Sequence, residues 1–333
     1  MPQRVTHPGG TGSGAPRTAI VPAGGLGTRF LPATKTVPKE LLPVLTTPAI
    51  ELVATEAAQA GARRLLVVTS PSKDTLVAKA IADMARRGVP KTTGTGTVPL
   101  ATVVQPQPVG LGDALKCVEP LLSPDEDGVF VLLPDAVLTP PGALVAMTTV
   151  REKFGGSVLC AVEVPPSRVS AYGVLDLEAA HDGSTREALR AKGIVEKPEA
   201  SDAPSRFVAA GRYLLDRSVF DALRRTKIGS GGELQLTDAI ALLIDEGHPV
   251  RAVVHHGYLH DLGNPLGYLE ASVDVALDSH GYVSGLRQWL IDRLGDAPRI
   301  TRSRTRTPAG QARRSKQDRP QRMVQASKSR RWQ

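Results

Sequence analysis

Ala19-Ile20-Val21-Pro22-Ala23-Gly24-Gly25-Leu26-Gly27-Thr28-Arg29-Phe30-Leu31-Pro32 runs on through Lys35 to Pro38-Lys39-Glu40-Leu41-Leu42-Pro43. The apolar run from Ala19 to Val21 predicts a short buried strand, and the glycines predict a tight turn directly after it. Without Cβ atoms at 24, 25 and 27, backbone N–H groups can close on an anion, and such concavities hold phosphate well. Ala23, Gly24, Gly25 and Gly27 are therefore the expected nucleotide-binding loop. Arg29 adds a planar guanidinium that can meet two phosphate oxygens, and Lys39 adds a compact point charge. Pro32, Pro38 and Pro43 restrict the backbone between these cations. The competing reading of this segment alone is a Gly-rich turn with scattered basic residues.

Neither common phosphate loop fits. The dinucleotide fingerprint needs Gly or Ala three residues after Gly27, and the segment has Phe30; a Walker loop needs Gly-Lys-Ser/Thr, and Gly27 precedes Thr28-Arg29.

Downstream, strand and helix patterns alternate. Strands are expected at Arg64–Thr69, Leu100–Gln105, Val129–Leu133 and Ser157–Val164. Helices are expected from Pro48 to Gly61, after Ser72 as a cap, from Asp113 to about Leu122, and from Pro141 to Phe154. The second half adds strands at Tyr172–Leu177, Gly193–Glu196, Phe207–Leu215 and Pro249–His255. Its helices fall near Arg217–Arg225, Leu236–Glu246, Leu266–Leu277 and Val283–Leu294. This order predicts an α/β fold, Rossmann-like, with a mixed but mainly parallel sheet and helices on both faces. Ligands in such sheets bind beyond the carboxyl ends of the strands. The Gly loop, Gln105 and Asp135 all follow strand ends, so they predict one shared cleft.

The chain is long enough for one large domain or two small ones, expected at residues 17–297. Segments 1–16 and 298–333 are expected to be disordered, the latter because its Arg, Ser, Thr, Gln and Pro cannot bury a core. The net charge of +8 is carried by the tail: twelve Lys or Arg from Arg299 onward face one acid, Asp318, giving +11 there and −3 for the first 298 residues. That tail reads either as a solvated, solubilising segment or as a polyanion contact. Two cysteines, Cys117 and Cys160, make no disulfide or metal framework and suit a reducing cytosol, so a cytoplasmic location is expected. No stretch of 18 apolar residues predicts a membrane span, and Met1 to Pro16 lacks the apolar centre of a secretory leader.

Asp135 ends an apolar strand behind Pro134, where its carboxylate can face the cleft and hold Mg²⁺, a hard ion that bridges substrate phosphates. Capping of the turn is the alternative role. Gly193-Ile194-Val195-Glu196-Lys197-Pro198 predicts a strand ending in a charged pair.

Gly-Leu-Gly-Thr-Arg-x-Leu-Pro-x-Thr-Lys-x-x-Pro-Lys-Glu-x-Leu-Pro resembles the signature of the sugar-1-phosphate nucleotidylyltransferases, and Lys39-Glu40 points toward the bacterial UTP–glucose-1-phosphate uridylyltransferases among them. The resemblance spans roughly Thr18 to Asp278 and recurs, in order, at several places. His260-Asp261-Leu262-Gly263-Asn264 is similar to the family segment whose aspartate completes a metal site, which pairs Asp261 with Asp135. Glu196 would hold sugar hydroxyls and Lys197 the sugar phosphate. Tyr172-Gly173-Val174 is similar to a sugar-side segment with Gly173 at its centre. Gln105 and the loop to Gly112, with Gly110 in it, match the base-reading position. Phe207–Tyr213 and Gly232–Ile240 match further family segments around the sugar pocket.

The resemblance implies UTP and glucose 1-phosphate as substrates, UDP-glucose and pyrophosphate as products, Mg²⁺ as cofactor, and a homo-oligomer, dimer or tetramer. Arg29, Lys39 and Lys197 would then be the catalytic cations. The rivals are an enzyme using dTTP or another sugar 1-phosphate, toward which Gln105-Pro106-Gln107-Pro108 leans, and a non-catalytic nucleotide-sugar binder with a polyanion-binding tail. The chain departs from the family pattern at Val109, where Lys is usual, at Asp113, where His is common, and at Thr46-Thr47. The segments from Ser70 to Leu100 and before Gly193 are also shorter than usual.

Overall fold

The computed structural model describes residues 16–25, 27–89, 96–178, 188–279, 281 and 283–295. The two terminal segments expected to be disordered, 1–16 and 298–333, therefore lie outside the described residues, Pro16 apart.

The strands and helices alternate much as the hydrophobic pattern predicts. The first half contains β1 (Thr18–Pro22), β2 (Pro43–Val44), β3 (Thr47–Pro48), α1 (Ala49–Gln59), β4 (Arg64–Thr69), α2 (Asp74–Arg87), β5 (Leu100–Val104), α3 (Leu111–Val118), β6 (Gly128–Leu132), β7 (Ala136–Thr139) and α4 (Ala143–Phe154). The second contains β8 (Ser157–Glu163), β9 (Gly173–Leu177), β10 (Leu189–Glu196), β11 (Phe207–Asp216), α5 (Ser218–Arg225), α6 (Leu236–Asp245), β12 (Val250–Val254), β13 (Tyr258–Asp261), α7 (Pro265–Asp278) and α8 (Val283–Gly295).

Nine strands form one sheet in the order β5-β4-β1-β6-β11-β8-β12-β10-β9. The expectation of a mainly parallel sheet is corrected here. β5, β4, β1 and β6 are parallel neighbours, as are β8 and β12. β11, however, runs antiparallel to β6, β8 and β9, and β10 runs antiparallel to both β9 and β12. The physical reason lies in the connections. Helices cross between the parallel strands of the first half, whereas β8, β9, β10 and β11 follow one another without an α-helix among the described residues, which favours antiparallel pairing.

Both faces of the sheet are covered, and the alternation of side chains shows how. Ala19 and Val21 of β1, Leu65 and Val67 of β4, and Phe130 and Leu132 of β6 pack with α1, α2 and α4. Ile20, Leu66, Val68, Val129 and Val131 point the other way, into a core shared with α3, α5 and α6. Strands covered on both faces read as continuous apolar runs, which is why β1, β4 and β6 were legible as strands.

One local expectation changes, and one pairing is new. Ser72 does not cap α2: the helix begins at Asp74 after Lys73, with no side-chain cap, and Ser72 Oγ instead lies 3.2 Å from Ser70 Oγ. The four-residue ladder of β7 with β13, pairing Ala136 with Asp261, had no counterpart in the sequence reading. By its packing the chain divides after Arg287, and Gln288–Gly295, the end of α8, belongs to a second unit.

Candidate active site

A cleft of about 440 Å³ opens at the carboxyl ends of β1, β5 and β6. Gly24, Gly25, Arg29, Lys39, Gln105, Gly110, Asp135, Gly173, Glu196, Lys197 and Asp261 all line it. Of the residues expected at the site, Ala23 and Gly27 do not. Ala23 is fully buried, and its N–H donates to the Val68 carbonyl at 2.7 Å, so it joins the loop to β4 instead of offering a donor to a ligand. Gly27 turns the loop with φ of 66°, and its carbonyl accepts from the Thr34 hydroxyl at 2.8 Å.

What holds the Gly loop in place was invisible in the sequence reading. Lys73, nine-tenths buried at the start of α2, donates from Nζ to the Gly25 carbonyl and to Ala23 O at 3.4 Å, and pairs with Glu40 at 3.0 Å. Glu40 is itself only 2% exposed. Burial pushes its carboxyl above the ordinary range, against the opposing pull of Lys73 and Lys39. One buried cation thus ties the turn after β1 to the Lys39-Glu40 segment.

The two aspartates meet through the small ladder. Asp261 ends β13 opposite Ala136, and the Leu262 N–H donates to the Asp135 carbonyl at 2.7 Å. The Asp261 carboxylate accepts from Gly263 N–H at 2.7 Å and from Asn264 Nδ2 at 3.0 Å, while Asn264 caps α7 through Gly267 N–H at 2.9 Å. Behind Asp135, fully buried Arg212 donates to the Leu133 and Gly211 carbonyls, both at 3.2 Å, and pairs with Glu56 at 2.8 Å. Gly211, with φ of 69°, passes this point because an added Cβ would stand 2.7 Å from that of Ala136. His260 is a buried residue of β13, bonded to Thr139 Oγ1 at 3.1 Å and Asp274 at 3.0 Å.

Lys39 Nζ donates to Asp135 Oδ2 at 2.5 Å. Burial opposes its charge, but Asp135 first, then Glu40 and Asp261, together raise its pKa above the ordinary lysine value. Lys39 is therefore a fixed, fully charged cation at neutral pH. Arg29 forms no ion pair among the described residues, which leaves its guanidinium available to an anion in the cleft.

Across the cleft, Glu196 ends β10 beside Gly173 of β9. Its Oε2 accepts from the Thr237 hydroxyl at 2.6 Å and its Oε1 pairs with Lys197 Nζ at 3.0 Å. Lys197 adopts φ of 44°, a left-handed conformation unusual for a side chain of this size. Strain of this kind persists where surrounding structure enforces it, and here the Lys197 N–H is held by the Tyr172 carbonyl at 3.0 Å. Neither cysteine suits nucleophilic work, since burial pushes the Cys160 thiol up to about 12 and also raises that of Cys117.

Residues 18–277 match the model of the nucleotidyl transferase family. The chain belongs to that family. Among its relatives, a UTP–glucose-1-phosphate uridylyltransferase of Bacillus subtilis is 33% identical over 272 residues, covering 78% of this chain and 90% of the relative. One of Escherichia coli K12 is 32% identical over 295 residues, covering 84% and 96%. Among solved structures, a UTP-bound UDP-glucose pyrophosphorylase of Acinetobacter baumannii superposes with a TM-score of 0.70 at 31% identity, over 83% of this chain and 99% of that one. A UDP-glucose pyrophosphorylase complexed with UDP-glucose gives 0.68 at 32%, over 79% and 100%. As a nucleotidyl transferase, the chain has cations from the β1 loop, two aspartates and a Glu-Lys pair around a single cleft.

Proposed function

We propose that this nucleotidyl transferase makes UDP-glucose and pyrophosphate from UTP and glucose 1-phosphate. The observation that carries this reading is the meeting of Arg29, Lys39, Asp135, Glu196, Lys197 and Asp261 in one cleft, in a chain whose relatives at similar length are uridylyltransferases.

In this reading the Gly24-Gly25 backbone and Arg29 take the triphosphate, and Gln105 with Gly110 takes the base. Glu196 accepts from sugar hydroxyls, and Lys197 orients the sugar phosphate so that one of its oxygens attacks the α-phosphorus in line as pyrophosphate leaves. Little covalent work falls to the protein, so positioning and charge carry the rate. Lys39 and Arg29 offset charge on the departing pyrophosphate.

Asp135 and Asp261 would hold the divalent ion, which we take to be Mg²⁺. Among the described residues no group of three or more His, Cys, Asp or Glu could cage a metal. A pair of carboxylates beside a phosphate site fits Mg²⁺, which takes one or two carboxylates and completes its shell with water and substrate oxygens. Bound there, the ion would draw charge from the phosphates of both substrates.

Incubation with UTP, Mg²⁺ and a panel of sugar 1-phosphates, with the products resolved by mass, tests the assignment. UDP-glucose should dominate; a different nucleotide sugar as the main product would move the assignment to another member of the family.

Lys197 offers a test that separates chemistry from folding. Lys197→Gly is expected to leave the melting temperature unchanged or raised, because glycine relieves the positive φ. It should nonetheless lower kcat/KM by about 100-fold through loss of the phosphate contact. Near-native turnover in this variant would remove Lys197 from the mechanism.

The twelve cations of the tail carry a second, independent expectation. A chain ending at Pro298 should turn over at the full rate yet lose retention on heparin. Retention of the whole chain should fall steeply with salt, and salt-independent retention would exclude a polyanion contact. We also place the protein in the cytosol, as its two free cysteines suggest, and propose a dimer or tetramer that would cover Trp289, Ile291 and Leu294, exposed on α8.

A further inference from the structure

Gln105 is 4% exposed at the end of β5, and its side-chain amide is held from two sides. Nε2 donates to the Gly110 carbonyl at 3.1 Å and to Asp113 Oδ2 at 2.9 Å. Both partners accept only, one being a backbone carbonyl and the other a carboxylate, so the amide cannot turn over without setting oxygen against oxygen. Its Oε1 consequently faces the Gly loop, 3.3 Å from where a Gly24 Cβ would stand, on the side that lines the cleft.

Asp113 is placed for this by its own local structure. It lies in the first turn of α3, whose preceding loop is pinned to Leu234: Leu234 N–H donates to Val109 O at 2.7 Å, and Gly112 N–H donates to Leu234 O at 2.9 Å. Gly110, with φ of 114°, fits there because an added Cβ would stand 2.7 Å from the Leu234 backbone.

We infer that Asp113 sets the base preference of this cleft by fixing Gln105 as an acceptor. The inference rests on the reading of Gln105 as the base contact. A lone acceptor suits the N3–H of an imide such as uracil or thymine. Set against N3 it opposes cytosine, whose N3 carries a lone pair and whose donor is the neighbouring N4 amine, and a site built to take a hydrogen bond at N3 disfavours a base that cannot give one there. A side chain that can both donate and accept would leave the amide's polarity open; the Asp113 carboxylate does not. Asp113 is a positioning residue, acting on the base through Gln105.

Asp113→Asn tests this, because an asparagine can donate as well as accept and leaves the Gly110 carbonyl alone to oppose a turn of the Gln105 amide that would bring Nε2 to the cleft. The readout is kcat/KM for UTP, dTTP and CTP in the whole chain. In the variant the UTP-to-CTP ratio should fall by about tenfold, the weight of one hydrogen bond, while the UTP-to-dTTP ratio holds because both bases share the imide edge. A role in packing alone would lower all three together. An unchanged UTP-to-CTP ratio in a folded variant overturns the inference. Should the asparagine variant fail to fold, Asp113→Ser, smaller and equally able to donate, must show the same drop in ratio or the inference falls. If the unaltered chain turns over no UTP, the functional reading fails and takes this inference with it; normal wild-type turnover with an unmoved ratio defeats this inference alone.

Discussion

Asp135→Asn is expected to lower kcat by about 100-fold or more at saturating UTP and Mg²⁺. The substitution keeps the size of the side chain and removes its charge, so it acts on two partners at once. One is the divalent ion, which would lose one of its two carboxylates and bind more weakly; the Mg²⁺ concentration for half-maximal rate should rise by about 10-fold or more. The other is Lys39. Asp135 is the strongest influence raising the pKa of this lysine against its burial, so the ammonium in the variant is held less firmly charged. Stability should fall only modestly, because Glu40 and Asp261 remain near the cation. Turnover within threefold of wild type, with an unchanged Mg²⁺ requirement, would remove Asp135 from the metal site.

Lys73→Met should produce the largest loss of stability among single changes near the cleft. The side chain of Glu40 is 1% exposed and that of Lys73 11%, and removing one partner of a buried pair costs about 3–5 kcal/mol because the other charge is left uncompensated. For a chain of this size that corresponds to a melting temperature lower by about 10 °C. The deficit should depend on pH in a defined direction. The Glu40 carboxyl already sits above the ordinary range in the folded state. A group raised in this way contributes its full stability below its unfolded value and loses it as pH climbs through the folded value. Without Lys73 the folded value rises further, so the deficit is greatest near neutral pH and shrinks at mildly acidic pH, as Glu40 takes up its proton. Melting curves of both proteins at the two pH values read this directly, and an equal deficit at both would show that the loss comes from packing of the lysine stem alone.

The contrast between these two residues shows what the sequence could and could not reveal. Asp135 was legible because an apolar run ended on it, and a strand end in an α/β fold points at the ligand cleft. The same logic exposed the Gly loop, Arg29 and Gln105. Lys73 carries no such mark: it precedes an ordinary helix some 50 residues after the loop it holds, at the kind of distance where only the folded chain brings partners together. The β7–β13 ladder was hidden for a similar reason. Ala136–Thr139 is too short to show a period, and its partner lies more than 100 residues away. The direction of the strands was misjudged because an apolar run reads the same in a parallel or an antiparallel neighbour; the signal lay instead in the helix-free connections from β8 to β11. Composition likewise cannot tell a backbone donor that faces a ligand from one already bonded to β4, as the Ala23 N–H is.

The most direct test of the account is pyrophosphate release by the whole chain with Mg²⁺ and glucose 1-phosphate, comparing UTP, dTTP, CTP, ATP and GTP. Release should be strong with UTP, require glucose 1-phosphate, and be weak with CTP and both purine nucleotides. Binding of UDP-glucose without release from any nucleotide would contradict catalysis and leave a nucleotide-sugar binding protein.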